Sequence, residues 1–280
     1  MSTGARHHQA LPKGTTHAFF AFHRADIVER VVERDFLLGE IPGVLWSPES
    51  GSDHAPLVLM GHGGGLHKKT PALLARADDA VTTWGFTVVA IDAPGHGDRP
   101  RSAEDEQNRA DLRQALQAGD NERFESVSVR YAGSLAERAV PEWQATLDAL
   151  QKLPEIGPEA PIGYGGGITL GTAIGIPLTA SDSRIRAAIF GGGFFAHEAL
   201  IEAAQRITVP IQFLVPWDDE HVSRQSSLAL FDAFASAEKT LHANPGDHRS
   251  IRWIGLDNEF LPRHLKRRTR GVRDAVSDRS

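Results

Sequence analysis

Gly163-Tyr164-Gly165-Gly166-Gly167-Ile168-Thr169-Leu170-Gly171-Thr172 reads as a nucleophile elbow with no serine in it. An elbow of the form G-x-S-x-G lifts a serine hydroxyl onto a sharp strand-to-helix turn, where a histidine can deprotonate it. The best-fitting window is Gly167-x-Thr169-x-Gly171, which makes Thr169 the attacking residue. A second window, Gly163-x-Gly165-x-Gly167, puts a glycine there and leaves no nucleophile. None of Ser126, Ser128, Ser134, Ser181 or Ser183 sits in such a frame.

The elbow lies within a regular alternation. Pro161 to Gly165 reads as a strand and Thr169 to Ala180 as a helix. Upstream, Pro56 to Met60 and the β-branched run Phe86 to Ile91 read as buried strands, with helical spacing between them from Thr70 to Trp84. Phe36 to Trp46 alternates around Ile41-Pro42-Gly43, as a hairpin would. Residues 101–131 are polar and helix-prone, and helical spacing resumes from Arg138 to Leu153. Downstream, strands at Ile185–Phe190, Ile211–Val215 and Lys239–His242 alternate with helices at His197–Arg206, Gln225–Ala235 and Glu259–Arg270. This order predicts an α/β fold, a mostly parallel sheet with helices on both faces. The expected organisation is an N-terminal extension over 1–34, one domain over 35–270 with a helical excursion near 101–131, and a polar tail over 271–280. The excursion is placed to cover the carboxyl ends of the strands, where open α/β sheets bind ligands.

Composition excludes several classes. The 280 residues are 41% hydrophobic and 24% charged, and no apolar run reaches the ~18 residues of a membrane span. Met1 to Pro12 is polar and shows no apolar signal core, so cytoplasmic residence is the expectation. The absence of cysteine removes disulfides, thiolate metal sites and a cysteine nucleophile. A net charge of −6 argues against broad nucleic-acid binding. The basic run Lys266 to Arg270 reads as a solvated helix end. His62, His67, His96 and His221 match no zinc spacing, and no G-x-G-x-x-G or P-loop pattern supports a nucleotide, so no metal or cofactor is expected.

Three landmarks fall where strands end. Gly61-His62-Gly63-Gly64-Gly65 follows the strand at 57–60, and glycines let backbone amides approach a ligand closely. Two such donors aimed at a developing oxyanion would hold a tetrahedral intermediate, each worth ~3 kcal/mol. The second landmark is the elbow. The third is a pair of loops, Val215-Pro216-Trp217-Asp218-Asp219-Glu220-His221-Val222 and Asn244-Pro245-Gly246-Asp247-His248. They supply an acid and then a histidine, in the order nucleophile, acid, base that parallel-sheet Ser-Asp-His enzymes use. The acid orients the imidazole and stabilises its cation, and the histidine takes the nucleophile's proton.

With these motifs, and with Asp92-Ala93-Pro94-Gly95-His96-Gly97, the chain resembles the α/β-hydrolase superfamily over roughly residues 35–265. Within it, the chain resembles the dienelactone-hydrolase-like branch of bacterial esterases. The resemblance implies an α/β-hydrolase fold and a catalytic set of Thr169, Asp219 and His248. Asp219 is preferred over Asp218 because it stands three residues before Val222, as the family's acid does. The implied oxyanion hole is formed by the amides of Gly64 or Gly65 and of Leu170. His62 and Trp217 are expected at the substrate pocket.

Relatives of this kind read like G-Y-W-G-L-S-M-G-T, and this chain has one residue more between Tyr164 and Gly171. Alignment from the helix side puts Thr169 at the nucleophile, and alignment from the strand side puts Ile168 there. Close packing of the helix against the strand favours the first. A β-branched residue on such a turn is expected at positive φ, at a cost of ~1–3 kcal/mol. The three upstream glycines would relieve strain by letting the strand end bend. The expected activity is hydrolysis of a carboxylic ester or lactone, or related acyl transfer, on a small-molecule substrate. Two alternatives stand beside it: non-hydrolytic lyase or cyclase chemistry through His248, and a catalytically dead binding protein. Neither a nucleic acid nor a membrane is an expected partner, and a homodimer is left open.

Overall fold

The first strand lies where a loose extension was expected. In the computed structural model, which describes residues 20–28, 30–51, 54–167, 169–192 and 194–266, β1 (Phe20–Val28) pairs antiparallel with β2 (Val31–Leu38). The rings of Phe20 and Phe22 pack on Phe36 of β2 at centroid distances of 4.8 and 6.3 Å. The extension over 1–34 is therefore corrected: from Phe20 onward the chain belongs to the sheet. The remainder of the extension and the 271–280 tail lie outside the described residues.

β2 turns at Gly39-Glu40 into β3 (Ile41–Pro48), so Ile41, Pro42 and Gly43 belong to the strand and not to the turn. Gly39, at φ 59°, occupies the left-handed region such a turn needs. β3 then pairs antiparallel with β5 (Thr87–Ile91). From β5 the sheet is parallel through β4 (Leu57–Leu59), β6 (Ile162–Gly165), β7 (Ile185–Gly191), β8 (Ile211–Pro216) and β9 (Lys239–Asn244). The full order across nine strands is β1-β2-β3-β5-β4-β6-β7-β8-β9. Every residue of β5 is buried, as its β-branched run requires of a strand covered on both faces.

Helices cover both faces. α1 (Pro71–Thr82) and α7 (Phe260–Leu265) pack one face with Leu73, Ala77, Val81, Phe260 and Leu265. α3 (Asn121–Leu150), α4 (Leu170–Ser181), α5 (Glu198–Ala204) and α6 (Arg224–Ala233) bury the other face. The excursion consists of α2 (Ala103–Ala118) and the first half of α3. The expected separate helix at 138–153 is its continuation, because the 30-residue α3 runs on through Gly133 and Pro141. Among the described residues no helix is long and apolar enough to cross a membrane.

Local chemistry sets the excursion's angle. Ser102 and Asp105 form a reciprocal capping box at the start of α2. Gly119 ends α2 in the left-handed region at φ 67°, and Asp120 caps α3 immediately after. Asp105 also accepts from Arg138 of α3 at 2.6 and 3.3 Å, which clamps the base of the helical hairpin. Burial opposes the Asp105 charge, but Arg138 and the Ser102 donors prevail and hold its pKa down at about 2.

Glycines decide how closely α4 approaches β6. A Cβ on Gly175 would run into the ring of Tyr164, which is fully buried. Gly175→Ala is therefore expected to destabilise the fold by about 1–3 kcal/mol through overpacking, read as a lower urea midpoint. Tyr164→Leu in the same chain should recover part of that loss. An additive double variant would show that the clash is not the cause.

Candidate active site

β6 ends at Gly165, and the chain enters α4 through Thr169, its N-cap, at φ 63° and ψ −111°. Thr169, and not Gly165, carries the positive φ; Ile168 lies outside the described residues. Such a conformation costs a β-branched residue on the order of 1–3 kcal/mol unless its surroundings enforce it. The enforcement is visible. The Thr169 carbonyl accepts from Thr172 and Ala173 at 3.0 Å each, which starts the helix. The Thr172 side chain bridges the turn to β7: its Oγ1 accepts from the Gly191 amide at 3.0 Å and lies against the Gly191 and Gly167 carbonyls.

The upstream glycines permit close approach. Neither Gly166 nor Gly167 has a positive φ. A Cβ at Gly166 would meet the Tyr164 ring at 2.6 Å and the Ile189 carbonyl at 3.0 Å. One at Gly167 would meet the Gly61 carbonyl at 2.8 Å. The elbow and the Gly61–Gly65 loop thus lie backbone against backbone.

That contact brings the loop amides to the hydroxyl. Gly64 N–H donates to Thr169 Oγ1 at 3.1 Å, and Gly65 turns the loop at φ 75°. Leu170 is the first residue of α4, so its amide is among the donors a helix start leaves free. His62 is pinned on both sides: Nδ1–H donates to the Gly63 carbonyl at 2.9 Å, and Nε2 accepts from the Ala93 amide at 3.0 Å. Burial lowers its pKa and keeps it neutral for that double role. It borders the cavity described below, with both its ring nitrogens committed to shaping the glycine loop.

Lys68 anchors the far end of the same loop. Its Nζ donates to Asp92 at 2.7 Å and Asp98 at 2.6 Å. Burial acts against the Lys68 charge, but the two carboxylates raise its pKa above the ordinary range.

The acid and base meet across the ends of β8 and β9. Trp217 N–H donates to the Asn244 carbonyl at 2.8 Å and Asp218 N–H to the Gly246 carbonyl at 3.1 Å, which holds the two loops together. His248 Nδ1–H donates to Asp219 Oδ2 at 2.7 Å, leaving Nε2 as the nitrogen with a free lone pair. Asp219 also accepts from the amides of His221, Val222 and His248 at 3.0, 3.0 and 3.1 Å. Burial would raise its pKa, but the hydrogen bonds from His248 and from the Val222 and His221 amides hold it well below the usual carboxylate range. Asp218 is occupied differently, with Arg224 at 3.3 Å and the Gly246 amide at 3.2 Å.

Thr169, Gly64, Gly65, Leu170 and His248 all border one cavity of about 1040 Å³. Its roof comes from the excursion, through Leu112, Phe124, Tyr131 and Leu135, and its side from Phe194 and Phe195. Trp217 is not among the lining residues, which corrects its expected pocket role. Its half-buried ring lies under the Arg224 guanidinium, 4.7 Å from the centroid. Sequence reasoning weighed His221 only as a metal ligand and missed its place at the cavity, where its ring lies 5.3 Å from that of Phe124 and joins the acid loop to the roof. It also missed Arg76, which borders the cavity from α1.

No protein-family model and no curated protein matches this sequence. Solved structures do. A cold-adapted esterase from an Arctic intertidal metagenomic library, in a polyethylene-glycol-bound form, is 33% identical, with a TM-score of 0.66 over 88% of this chain and 100% of that one. Its native structure gives 30% identity and a TM-score of 0.61 over the same shares, 88% and 100%. An acetyl xylan esterase from Paenibacillus sp. R4 shares the fold at 14% identity, with a TM-score of 0.59 over 84% of this chain and 85% of that one. With its mostly parallel sheet and helices on both faces, the chain belongs to the α/β-hydrolase-fold esterase family that the Arctic enzyme represents.

Two outcomes follow from the strained and buried groups. Thr169→Gly removes the β-branched side chain from a positive φ and is expected to stabilise the fold by about 1 kcal/mol in urea; a destabilised variant would show the turn to be unstrained. His96 donates Nδ1–H to the Pro94 carbonyl at 2.9 Å, and burial lowers its pKa to about 4. The unfolded chain takes up that proton near pH ~6.5, so the stability gained by keeping His96 neutral is complete above that value. It is lost as pH falls toward about 4, by at most ~3 kcal/mol. Urea midpoints across that window should fall more steeply in the wild type than in His96→Asn; equal slopes would assign the loss to other groups.

Proposed function

We propose that the protein hydrolyses carboxylic esters or lactones through an acyl-enzyme on Thr169. The Thr169 hydroxyl attacks the substrate carbonyl as its proton passes to His248 Nε2. Asp219 holds His248 in the tautomer that leaves Nε2 free and stabilises the imidazolium that forms. The amides of Gly64 or Gly65 and of Leu170 receive the developing oxyanion. The C–O bond to the alcohol then breaks, and the alcohol leaves with the proton from His248 Nε2. Water attacks the acyl-threonine, giving its proton to Nε2, and the acid departs as Thr169 regains its hydrogen.

The observation that carries this reading is the hydroxyl at φ 63°, accepting from a glycine-loop amide and sharing a cavity with a histidine held by a carboxylate at 2.7 Å. The esterase relatives support the reaction class. Threonine makes the mechanism slower than serine would, because its methyl crowds the attacking oxygen.

Hydrolysis of p-nitrophenyl acetate and butyrate tests the roles. Thr169→Ala and His248→Ala are expected to lower kcat by about 10³-fold or more, and Thr169→Ser to raise it by roughly tenfold, or ~1.4 kcal/mol off the barrier. Unchanged rates in Thr169→Ala and His248→Ala would remove the triad. Activity lost in His248→Ala but retained in Thr169→Ala would assign the chemistry to His248 without a covalent intermediate.

A further inference from the structure

The chain carries 36 acidic residues against 30 basic ones, yet its large cavity has the opposite character. Arg76, Arg109, Arg113 and Arg249 border it, and among the described residues no Asp or Glu does. Several arginines elsewhere are answered by carboxylates: Arg34 by Glu155, Arg99 by Glu142, Arg138 by Asp105, Arg184 by Asp182. Within the cavity, Arg249 donates to His221 Nε2 at 2.9 Å.

Arg76 stands apart. Its Nη1 donates to the Gly166 carbonyl at 3.3 Å, and among the described residues no carboxylate pairs with it. A guanidinium has five donors in a planar fork, so most of this one's are unspent. The contact with Gly166 fixes the head group beside the elbow, three residues before Thr169. The residue is exposed where α1 meets the cavity, so these donors are open to an incoming anion.

We infer that the ester this protein takes is itself anionic, with a carboxylate that pairs with the Arg76 guanidinium while the rest of the molecule fills the apolar cavity. The inference rests on the ester-hydrolase reading and names its substrate class. A planar monoanion suits the fork, since two parallel N–H···O bonds match two carboxylate oxygens. The remaining lining, with Leu73, Leu112, Phe194 and Phe195 in it, suits a hydrocarbon body.

The test compares matched ester pairs within each variant. On the acyl side, p-nitrophenyl hemiglutarate is set against p-nitrophenyl valerate; on the alcohol side, 4-acetoxybenzoate against 4-tolyl acetate. In the wild type at least one anionic ester should exceed its neutral partner by about tenfold or more in kcat/KM, mostly through KM. Arg76→Gln should bring that ratio near one, and Arg76→Lys should retain part of it. Arg206→Gln, exposed in the turn that follows α5, should keep the wild-type ratio and so controls for global charge.

A second readout is independent of turnover: the Kd of monomethyl glutarate and of methyl valerate for Thr169→Ala, with and without Arg76→Gln, by calorimetry. Tighter binding of the anion that depends on Arg76 supports the inference even if the acyl-enzyme mechanism fails. Neutral esters preferred in both pairs with no anion preference in Kd, or an anion preference untouched by Arg76→Gln, would overturn it.

Discussion

The buried phenol of Tyr164 is the contact on which the geometry around the elbow depends. Its hydroxyl donates to the Gly171 carbonyl at 2.5 Å, inside the first turn of α4. Its ring and hydroxyl fill the space that side chains at Gly61, Gly166 and Gly175 would need. One side chain at the end of β6 therefore sets the approach of the glycine loop, the elbow and the helix. Complete burial pushes the phenol's pKa above its ordinary range, so it stays a neutral donor. The strain at Thr169 survives because the backbone on both sides of it is held by these contacts and by Thr172.

Charge is managed differently in the support and at the reacting surface. The supporting ions are satisfied: Lys68 by Asp92 and Asp98, Asp105 by Arg138 and Ser102. Asp219 belongs to the same group, with three backbone amides and one imidazole on its carboxylate. Such an acid cannot readily take a proton from His248, so in the proposed mechanism it orients and stabilises and does not relay. Arg76, with no carboxylate partner among the described residues, and His248, with Nε2 free, border the cavity, where a substrate would meet them.

Much of the fold is legible in the sequence because buried parallel strands and amphipathic helices differ in period. Strands β4 to β9 and helices α4 to α6 lie within a few residues of where apolar runs and turn residues put them. β1 escaped because its segment, Phe20 to Val28, interleaves His23, Arg24 and Asp26 with apolar residues, as an edge strand can. The unity of α3 escaped because the polar stretch to 131 shows no apolar spacing that joins it to the helix read from Arg138, while packing of Leu135, Trp143 and Leu147 sustains one helix. The Asp219–His248 pairing was legible as chain order. The standing of Trp217 and Arg76 was not, since both depend on which way a side chain faces across elements far apart in sequence. A lone arginine on an amphipathic helix looks like any solvated one until its neighbours are known.

The threonine and the arginine bear on each other. A β-branched nucleophile has few χ1 states, so its hydroxyl is pre-aimed but cannot turn to follow a loosely held carbonyl. Attack then depends on the substrate arriving in register, and a mismatch of about 1 Å can cost on the order of 10²-fold. The anchor proposed here would supply that register: a carboxylate on the Arg76 fork would fix one end of the molecule while the amides of the proposed oxyanion hole fix the other. Binding energy from the non-reacting end of a substrate can thus be used to orient the reacting end. On this reading the methyl of Thr169 discriminates. It slows every ester, and it slows least those whose anchor places the carbonyl where a stiff hydroxyl already points.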